Sequence, residues 1–254
     1  MRIALTREIS PAIDRCELTH LSRTPIDLVV ARAQHEQYEQ ALRELGCKVQ
    51  RLSSGDDQPD SVFIEDTAIV LGEVAVIAQP GAASRRSELA VVENELQRHR
   101  MVQWIDLPGT LDGGDVLRVG RRLFVGAGGR SNAEGIAQLR AIVAPFGYTV
   151  HPVPITGCLH LKSAASLVAG DLLLVNPAWL DLAPFGDLRT VHIDPSEPFA
   201  ANALRIGERV IHAEEFRLTR ELMERAGIAV RTVPASELAK AEGGVTCCSL
   251  VFDT

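Results

Sequence analysis

The sequence predicts a single α/β domain that spans residues 1–254 and is built from five copies of a ββαβ unit. Two observations predict this architecture. A stretch with helical spacing, followed by a short strand that ends at a turn, recurs along the chain, and an apolar strand precedes each recurrence. Repeated units bury their apolar surface against neighbouring units, so units in direct succession form one domain without a linker.

The helix and the strand that end each unit can be followed in chain order. The first pair occupies residues 33–45 and 48–52, the second 84–98 and 102–108, the third 132–146 and 149–154, and the last 214–226 and 228–234. Two prolines between residues 176 and 186 disfavour a helix in the fourth unit, which keeps a strand at 190–195.

The middle strand of each unit is a short run of apolar residues. These runs are residues 74–78, 122–126, 171–175 and 209–212, and residues 2–6 supply the fifth. The first strand of the chain therefore joins the last unit and closes the units into a ring. Because only 4% of the residues are aromatic, we expect a core of aliphatic side chains in buried strands.

Capping residues predict where several helices begin and end. Ser84 has capping-box spacing before a Glu-containing turn, which predicts a helix start at this serine. Ser131 and Asn132 predict the start of the third helix. Glycines that suit the left-handed residue after a helix are found at three of the predicted helix ends: Gly46, Gly147 and Gly227.

Composition and charge narrow the functional classes. Hydrophobic residues make up 46% of the chain and charged residues 23%, which is typical of globular proteins and excludes a disordered or fibrous chain. A net charge of −7 argues against nucleic acid as a partner. No apolar run approaches the roughly 18 residues of a membrane span, and the first eight residues carry charge where a signal peptide is apolar. We therefore expect a cytoplasmic protein with no membrane partner.

Polar clusters occupy equivalent places in successive units. They lie at residues 59–67, 109–116, 158–163 and 243–249. Taken singly, their members have ordinary explanations, since Cys is often a small buried side chain and Asp before Gly is a common turn residue. If the units surround an axis, however, equivalent places converge, and a Cys, a His and several carboxylates meet in one central funnel. Only one of the adjacent Cys247 and Cys248 is expected to face it, because neighbours on a strand alternate.

Together these segments resemble the dimethylarginine dimethylaminohydrolases, a family of the guanidino-modifying pentein superfamily. The resemblance extends over nearly the whole chain and includes Leu-Asp-Gly-Gly-Asp at 111–115 and Thr-Cys-Cys-Ser at 246–249. Other matching stretches are residues 59–66, 80–86, 130–132, 159–162 and 200–202. The resemblance implies a five-bladed α/β propeller around a central active-site funnel, in agreement with the five units counted above.

The resemblance also implies roles for individual residues. Cys247 is implied as the nucleophile, His160 as the general acid and base, and Asp112 as the carboxylate that orients the histidine. The implied substrate contacts are the acids Asp60, Glu65 and Asp66, the carboxylate clamp of Arg85 and Arg130, and backbone groups at Leu18 and Ala241. Relatives tend to have Asp at the position after Ala241, where this chain has Glu242.

The implied reaction is hydrolysis of asymmetric dimethylarginine and monomethylarginine to citrulline, with release of dimethylamine or methylamine through a covalent intermediate on Cys247. These residue types suit that chemistry. A guanidinium carbon is a poor electrophile and needs a thiolate, and carboxylates hold its planar N–H donors. No metal or organic cofactor is required, and the expected partner is a small guanidino amino acid.

Three alternatives differ from this interpretation in specific features. An arginine deiminase would carry an inserted helical domain, for which the chain has no room, and an enzyme directed at agmatine would not need both Arg85 and Arg130. A non-catalytic pentein, like the ribosome anti-association factors, would lack the Cys247, His160 and Asp112 set. The sequence leaves a homodimer open, and residues 9–24 fit either a mobile cover over the funnel or a plain connecting loop.

Overall fold

Fifteen strands form five three-stranded sheets, and each sheet is one blade of an α/β propeller. The computed structural model describes all residues from 1 to 254. In every blade the middle strand pairs antiparallel with one neighbour, called here the inner strand, and parallel with the strand that follows it in the chain. The parallel pair requires a crossover connection, which a helix provides in four of the five blades. The predicted five-unit α/β fold is confirmed.

The first blade closes the ring with the two ends of the chain. It contains β1 (Arg2–Arg7), α1 (Leu28–Glu44), β2 (Lys48–Leu52) and the last strand, β15 (Leu250–Asp253). β15 pairs antiparallel with β1, and β1 pairs parallel with β2. The predicted closure through residues 2–6 is therefore confirmed.

The second and third blades follow the predicted pattern closely. The second contains β3 (Ala68–Val70), β4 (Val74–Ile77), α2 (Leu89–Leu96) and β5 (Met101–Trp104). The third contains β6 (Val116–Val119), β7 (Arg122–Ala127), α3 (Ala133–Val143) and β8 (Thr149–Pro154).

The fourth blade replaces its crossover helix with a 3₁₀ turn, Ala183–Phe185, as its prolines indicate. The blade begins with the short helix α4 (Leu161–Ala164) and continues through β9 (Ala165–Ala169), β10 (Leu172–Val175) and β11 (Arg189–His192). The fifth blade contains β12 (Ala203–Ile206), β13 (Arg209–Ala213), α5 (Arg217–Arg225) and β14 (Ala229–Val233), and α6 (Ser236–Ala239) follows it.

Most of the predicted helix boundaries agree with the structure. Gly46, Gly147 and Gly227 have φ values of 87°, 76° and 84°, the left-handed conformation that glycine adopts without steric cost. Asn132 caps α3, since its side chain accepts a hydrogen bond from Gly135 N–H at 2.8 Å. These three helix ends and this helix start are confirmed.

The predicted helix start at Ser84 is wrong. Ala83–Glu88 form a 3₁₀ helix, and α2 begins only at Leu89. The Ser84 hydroxyl donates to Glu17 at 2.6 Å instead of capping a helix. On the same turn Arg85 points into the protein and contacts Asp66. This buried contact favours the tighter winding, and capping-box spacing does not reveal it.

The apolar core lies between the blades and not on the axis. Buried hydrophobic residues form clusters of 10 to 21 members, and each cluster joins two adjacent blades. The axis holds a central channel of about 740 Å³ lined by β3, β6, β12 and β15. None of the helices has the length and apolar character needed to cross a membrane.

Candidate active site

Polar segments precede the inner strands of four blades and meet at one end of the axis. A 3₁₀ turn at Ile64–Thr67 precedes β3, and a second at Gly113–Asp115 precedes β6. His160 is the N-cap residue of α4, which precedes β9, and a turn at residues 245–248 precedes β15. These segments border a small cavity. Eight of the predicted site residues line it: Asp60, Asp66, Arg85, Asp112, Arg130, His160, Ala241 and Cys247.

His160 lies between two buried carboxylates. Its Nε2 atom is 3.0 Å from Asp112 Oδ2, and its Nδ1 atom is 3.6 Å from Asp66 Oδ1. The N–H of Gly81 donates to Asp112 Oδ1 at 2.9 Å and so fixes this carboxylate. Burial alone would lower the pKa of His160, but the nearby carboxylates outweigh burial and raise the pKa to about 9. The imidazole is therefore protonated at neutral pH and can donate a proton.

The same three side chains are the group most suited by geometry to hold a metal ion. The ligand atoms of Asp66, Asp112 and His160 lie within 4.8 Å of one another. Metal binding, however, requires a neutral imidazole nitrogen with a free lone pair. The raised pKa of His160 favours the imidazolium instead. The group therefore suits proton transfer better than metal binding.

Asp115 is a fully buried carboxylate behind the cavity, and it is not among the predicted site residues. Its Oδ2 atom accepts a 2.6 Å hydrogen bond from Ser131, and its Oδ1 atom accepts one from Leu161 N–H at 3.0 Å. Burial raises its pKa to about 6, and His160 opposes this rise. These bonds fix the backbone next to His160. The sequence signal for Asp115 is its place in the polar cluster at residues 109–116, three residues after Asp112.

The adjacent cysteines have different surroundings. Cys247 lines the cavity, whereas Cys248 lies behind it beside Tyr38 and Leu238. The Cys248 thiol donates to Gly244 O at 3.4 Å. Both cysteines belong to the turn at residues 245–248, so the turn and not strand alternation makes them diverge.

The Cys247 thiol is surrounded by acidic groups. Burial raises its pKa to about 12, and Glu65 and Asp66 add to the effect. The N–H of Gly244 donates to Sγ at 3.4 Å, and the N–H of Glu65 donates to the Cys247 carbonyl at 3.1 Å. The thiol is therefore protonated at neutral pH unless a cation lies beside it, because an opposite charge lowers a thiol pKa.

The side chains of Glu65 and Leu18 do not line the cavity. The Glu65 carboxylate pairs with Lys162 at 2.5 Å and accepts a hydrogen bond from Thr246 at 2.8 Å. Glu65 and Lys162 line the central channel instead. Leu18 is half-buried against the apolar cluster between the first and fifth blades. The 3₁₀ turn directs Glu65 and Asp66 to opposite sides, which their adjacency in the sequence does not reveal.

Asp60 and Asp66 are the buried carboxylates that can receive a guanidinium. Both oxygens of Asp60 accept from Glu17 N–H at 3.2 Å. Burial raises the pKa of Asp60 to about 6, although Arg85 opposes this rise. Burial would also raise the pKa of Asp66, but His160 and Arg85 outweigh it and lower this pKa. Both acids therefore carry negative charge at neutral pH.

The two arginines differ in how free their guanidinium groups are. Arg85 is buried and donates to Asp66, to Glu88 at 2.9 Å and to Phe63 O at 2.9 Å. Arg130 is half-buried and donates to Thr19 Oγ1 at 3.2 Å. Arg130 is thus the more available cation for a ligand carboxylate, while Arg85 fixes Asp66.

Comparison of the whole chain with known proteins shows which family it belongs to. No protein-family model matches the chain. The N(G),N(G)-dimethylarginine dimethylaminohydrolase of Streptomyces coelicolor is 40% identical over 248 residues, which is 97% of this chain and 95% of the relative. The chain belongs to the dimethylarginine dimethylaminohydrolase family. The Pseudomonas aeruginosa protein of the same name is 35% identical over 242 residues, or 94% of each chain.

Solved structures of dimethylarginine dimethylaminohydrolases share the whole fold. A cysteine-to-serine mutant from Pseudomonas aeruginosa, complexed with citrulline, has a TM-score of 0.91 at 33% identity, with 98% of both chains covered. A histidine-to-glycine mutant, bound as an adduct with S-methyl-L-thiocitrulline, has a TM-score of 0.93 at 33% identity and the same coverage. Named members of the dimethylarginine dimethylaminohydrolase family are hydrolases that act on the guanidino C–N bond.

Proposed function

We propose that the chain hydrolyses asymmetric dimethylarginine and monomethylarginine to citrulline, with release of dimethylamine or methylamine. One observation carries the proposal: Cys247, His160 and Asp112 line the same cavity as the buried carboxylates Asp60 and Asp66. A nucleophile, a proton donor and acceptors for a guanidinium are therefore present in one place. Membership of the dimethylarginine dimethylaminohydrolase family supports the choice of substrate.

Substrate binding uses charges of both signs. Asp60 and Asp66 accept the N–H groups on the unsubstituted side of the guanidinium, and charge assistance strengthens these bonds. Arg130 receives the amino-acid carboxylate. Arg85 holds Asp66 in place. Its guanidinium can bind the carboxylate of the substrate only if it breaks its hydrogen bonds to Asp66 or to Glu88.

The cation of the substrate activates the nucleophile. It offsets the acids around Cys247 and lowers the thiol pKa, so the thiol proton passes to water. The thiolate attacks the guanidinium carbon and forms a C–S bond, and His160 protonates the departing amine as the C–N bond breaks. The neutral His160 then takes one proton from water, and the resulting hydroxide attacks the carbon. As the C–S bond breaks, the remaining hydroxyl proton passes to the departing sulfur, which restores the Cys247 thiol and releases citrulline. Asp112 orients the imidazole and stabilises its charged form.

A panel of guanidino compounds tests the proposal. We expect citrulline release from asymmetric dimethylarginine and monomethylarginine and little from symmetric dimethylarginine. A methyl group on each terminal nitrogen removes a charge-assisted hydrogen bond to the acids, at a cost of about 1.5–3 kcal/mol. Equal turnover of all three methylarginines, or preferred turnover of arginine or agmatine, would contradict the proposed substrate.

A further inference from the structure

Residues 17–21, which we call the lid segment, lie over the mouth of the cavity. Glu17 lines the cavity and bonds through its N–H to Asp60, and Thr19 accepts a bond from Arg130. The enclosed space beneath measures about 20 Å³, which is room for about one water molecule. An arginine-sized ligand cannot enter this space while the lid segment keeps its position. The segment must therefore move each time a substrate is bound.

One carboxylate oxygen holds most of the lid segment. Glu242 Oε1 accepts hydrogen bonds from three consecutive backbone N–H groups, those of Thr19, His20 and Leu21, at 2.9, 2.6 and 2.7 Å. Consecutive N–H groups that converge in this way form a concave site for an anion. Because the acceptor is a carboxylate, these bonds are stronger than bonds to a neutral oxygen.

Glu242 has a left-handed backbone conformation, which is unfavourable for glutamate. Its φ is +58°, the only positive value in the chain outside glycine. The residue follows α6, and its N–H donates to Ala239 O at 3.1 Å, so it occupies a position where glycine is preferred. Glycine would relieve the backbone but could not bind the lid segment.

Glu242 also connects the lid segment to the nucleophile. It lines the cavity together with Cys247. Two residues further along the chain, the N–H of Gly244 donates to the Cys247 thiol at 3.4 Å. Gly243 in between is closely packed, because a Cβ there would lie 2.2 Å from Phe63. The side chain that holds the lid segment is therefore anchored in the same rigid stretch as the attacking sulfur.

We propose that Glu242 is a positioning residue that fastens the lid segment over the empty cavity and must release it before a substrate can enter. The role deepens the proposed function and rests on it for its kinetic consequences. The physical latch itself can be measured without turnover.

Hydrogen–deuterium exchange of the amides of residues 19–21 tests the latch directly. We expect about tenfold faster exchange in Glu242→Gln, since the amide keeps the shape but removes the charge. Glu242→Gly should exchange faster still, although it relieves the backbone. Glu197 provides a matched control, because its carboxylate also accepts two backbone N–H groups, those of Leu218 and Thr219, and none from the lid segment. Glu197→Gln should leave exchange at 19–21 unchanged.

Steady-state kinetics separate the latch from a general structural role. In Glu242→Gln we expect the KM for dimethylarginine to fall by up to about tenfold, because a weaker latch leaves more of the protein open to the substrate. The change in kcat should be much smaller, since the chemical groups stay in place. Unchanged exchange at residues 19–21 in Glu242→Gly would overturn the proposal, whatever the activity. Faster exchange in a protein that turns over none of the guanidino compounds would uphold the latch and reject the proposed function instead.

Discussion

At the scale of single residues, the cavity pairs a thiol whose pKa is about 12 with an imidazole whose pKa is about 9. At neutral pH the sulfur of Cys247 is therefore neutral and His160 is charged. A cysteine activated by a neutral base would have the opposite charges, with a thiolate beside a neutral imidazole. The charge needed for attack has to come with the substrate, so a neutral urea of similar shape would bind without creating the nucleophile.

The two adjacent cysteines provide a matched pair of substitutions. Cys247→Ser should abolish citrulline release and leave the fold intact, because only this sulfur faces the cavity. Cys248→Ser should keep activity within a few-fold, since a hydroxyl can replace its hydrogen bond to Gly244. Citrulline release and thermal unfolding of both variants check this. Similar losses in the two variants would contradict the assignment of the nucleophile.

The charge on His160 should also influence stability. Its pKa is raised from 6.5 to about 9, so its stabilising effect is complete below pH 6.5 and disappears as the pH rises through about 9. The shift corresponds to roughly 3 kcal/mol. We expect the free energy of unfolding to fall less steeply over this range in His160→Gln than in the wild type, as measured by denaturant titration. The control His192→Gln, at an exposed site, should keep the wild-type slope.

At the scale of elements, the chemistry lies in short turns before the inner strands and not in the strands or long helices. These turns differ in backbone conformation, and the direction in which their side chains point depends on the buried groups that they contact. The repeat predicted the position of these turns. Eight of the residues that the resemblance named line the cavity, and their roles in it stay predictions. The sequence could not predict that Glu65 points into the channel or that Ser84 bonds to Glu17, because both depend on contacts between residues that are far apart in the chain.

The contact between α3 and the segment before Asp112 offers a prediction at this scale. A Cβ at Gly135 would lie 2.1 Å from Thr110 O, two residues before Asp112. Gly135→Ala should therefore destabilise the protein by roughly 2 kcal/mol, although alanine is normally the better helix former by about 1 kcal/mol. It should also slow citrulline release by displacing Asp112. Denaturant unfolding checks the first effect, and Glu134→Ala on the exposed face of α3 is the control.

At the scale of the whole molecule, the ring depends on the pairing of β15 with β1. The alternation of apolar strands and turns was sufficient to predict five units and their closure, because each unit repeats the same local pattern. The missing helix of the fourth blade was also visible in its prolines. The lid contacts of Glu242 were not, since nothing in the local sequence indicates which distant amides a carboxylate will bind.

Removal of β15 should open the ring. Deletion of residues 250–254 exposes the partners of Leu250 and Phe252, both buried. Burial of each such side chain contributes roughly 1.5–3 kcal/mol, and the strand pairing is lost as well, against a total stability of about 5–15 kcal/mol. We expect loss of the cooperative unfolding transition and of citrulline release. Deletion of Thr254 alone should preserve both, and a cooperative transition in the longer deletion would contradict this view of the ring.

The ion pair between Glu65 and Lys162 lines the central channel, and neither side chain lines the catalytic cavity. One 3₁₀ turn therefore supplies neighbouring acids to two separate spaces on the propeller axis, Asp66 to the cavity and Glu65 to the channel. A change in the backbone of this turn would disturb both spaces at once, so the channel and the cavity are mechanically linked although no residue lines both.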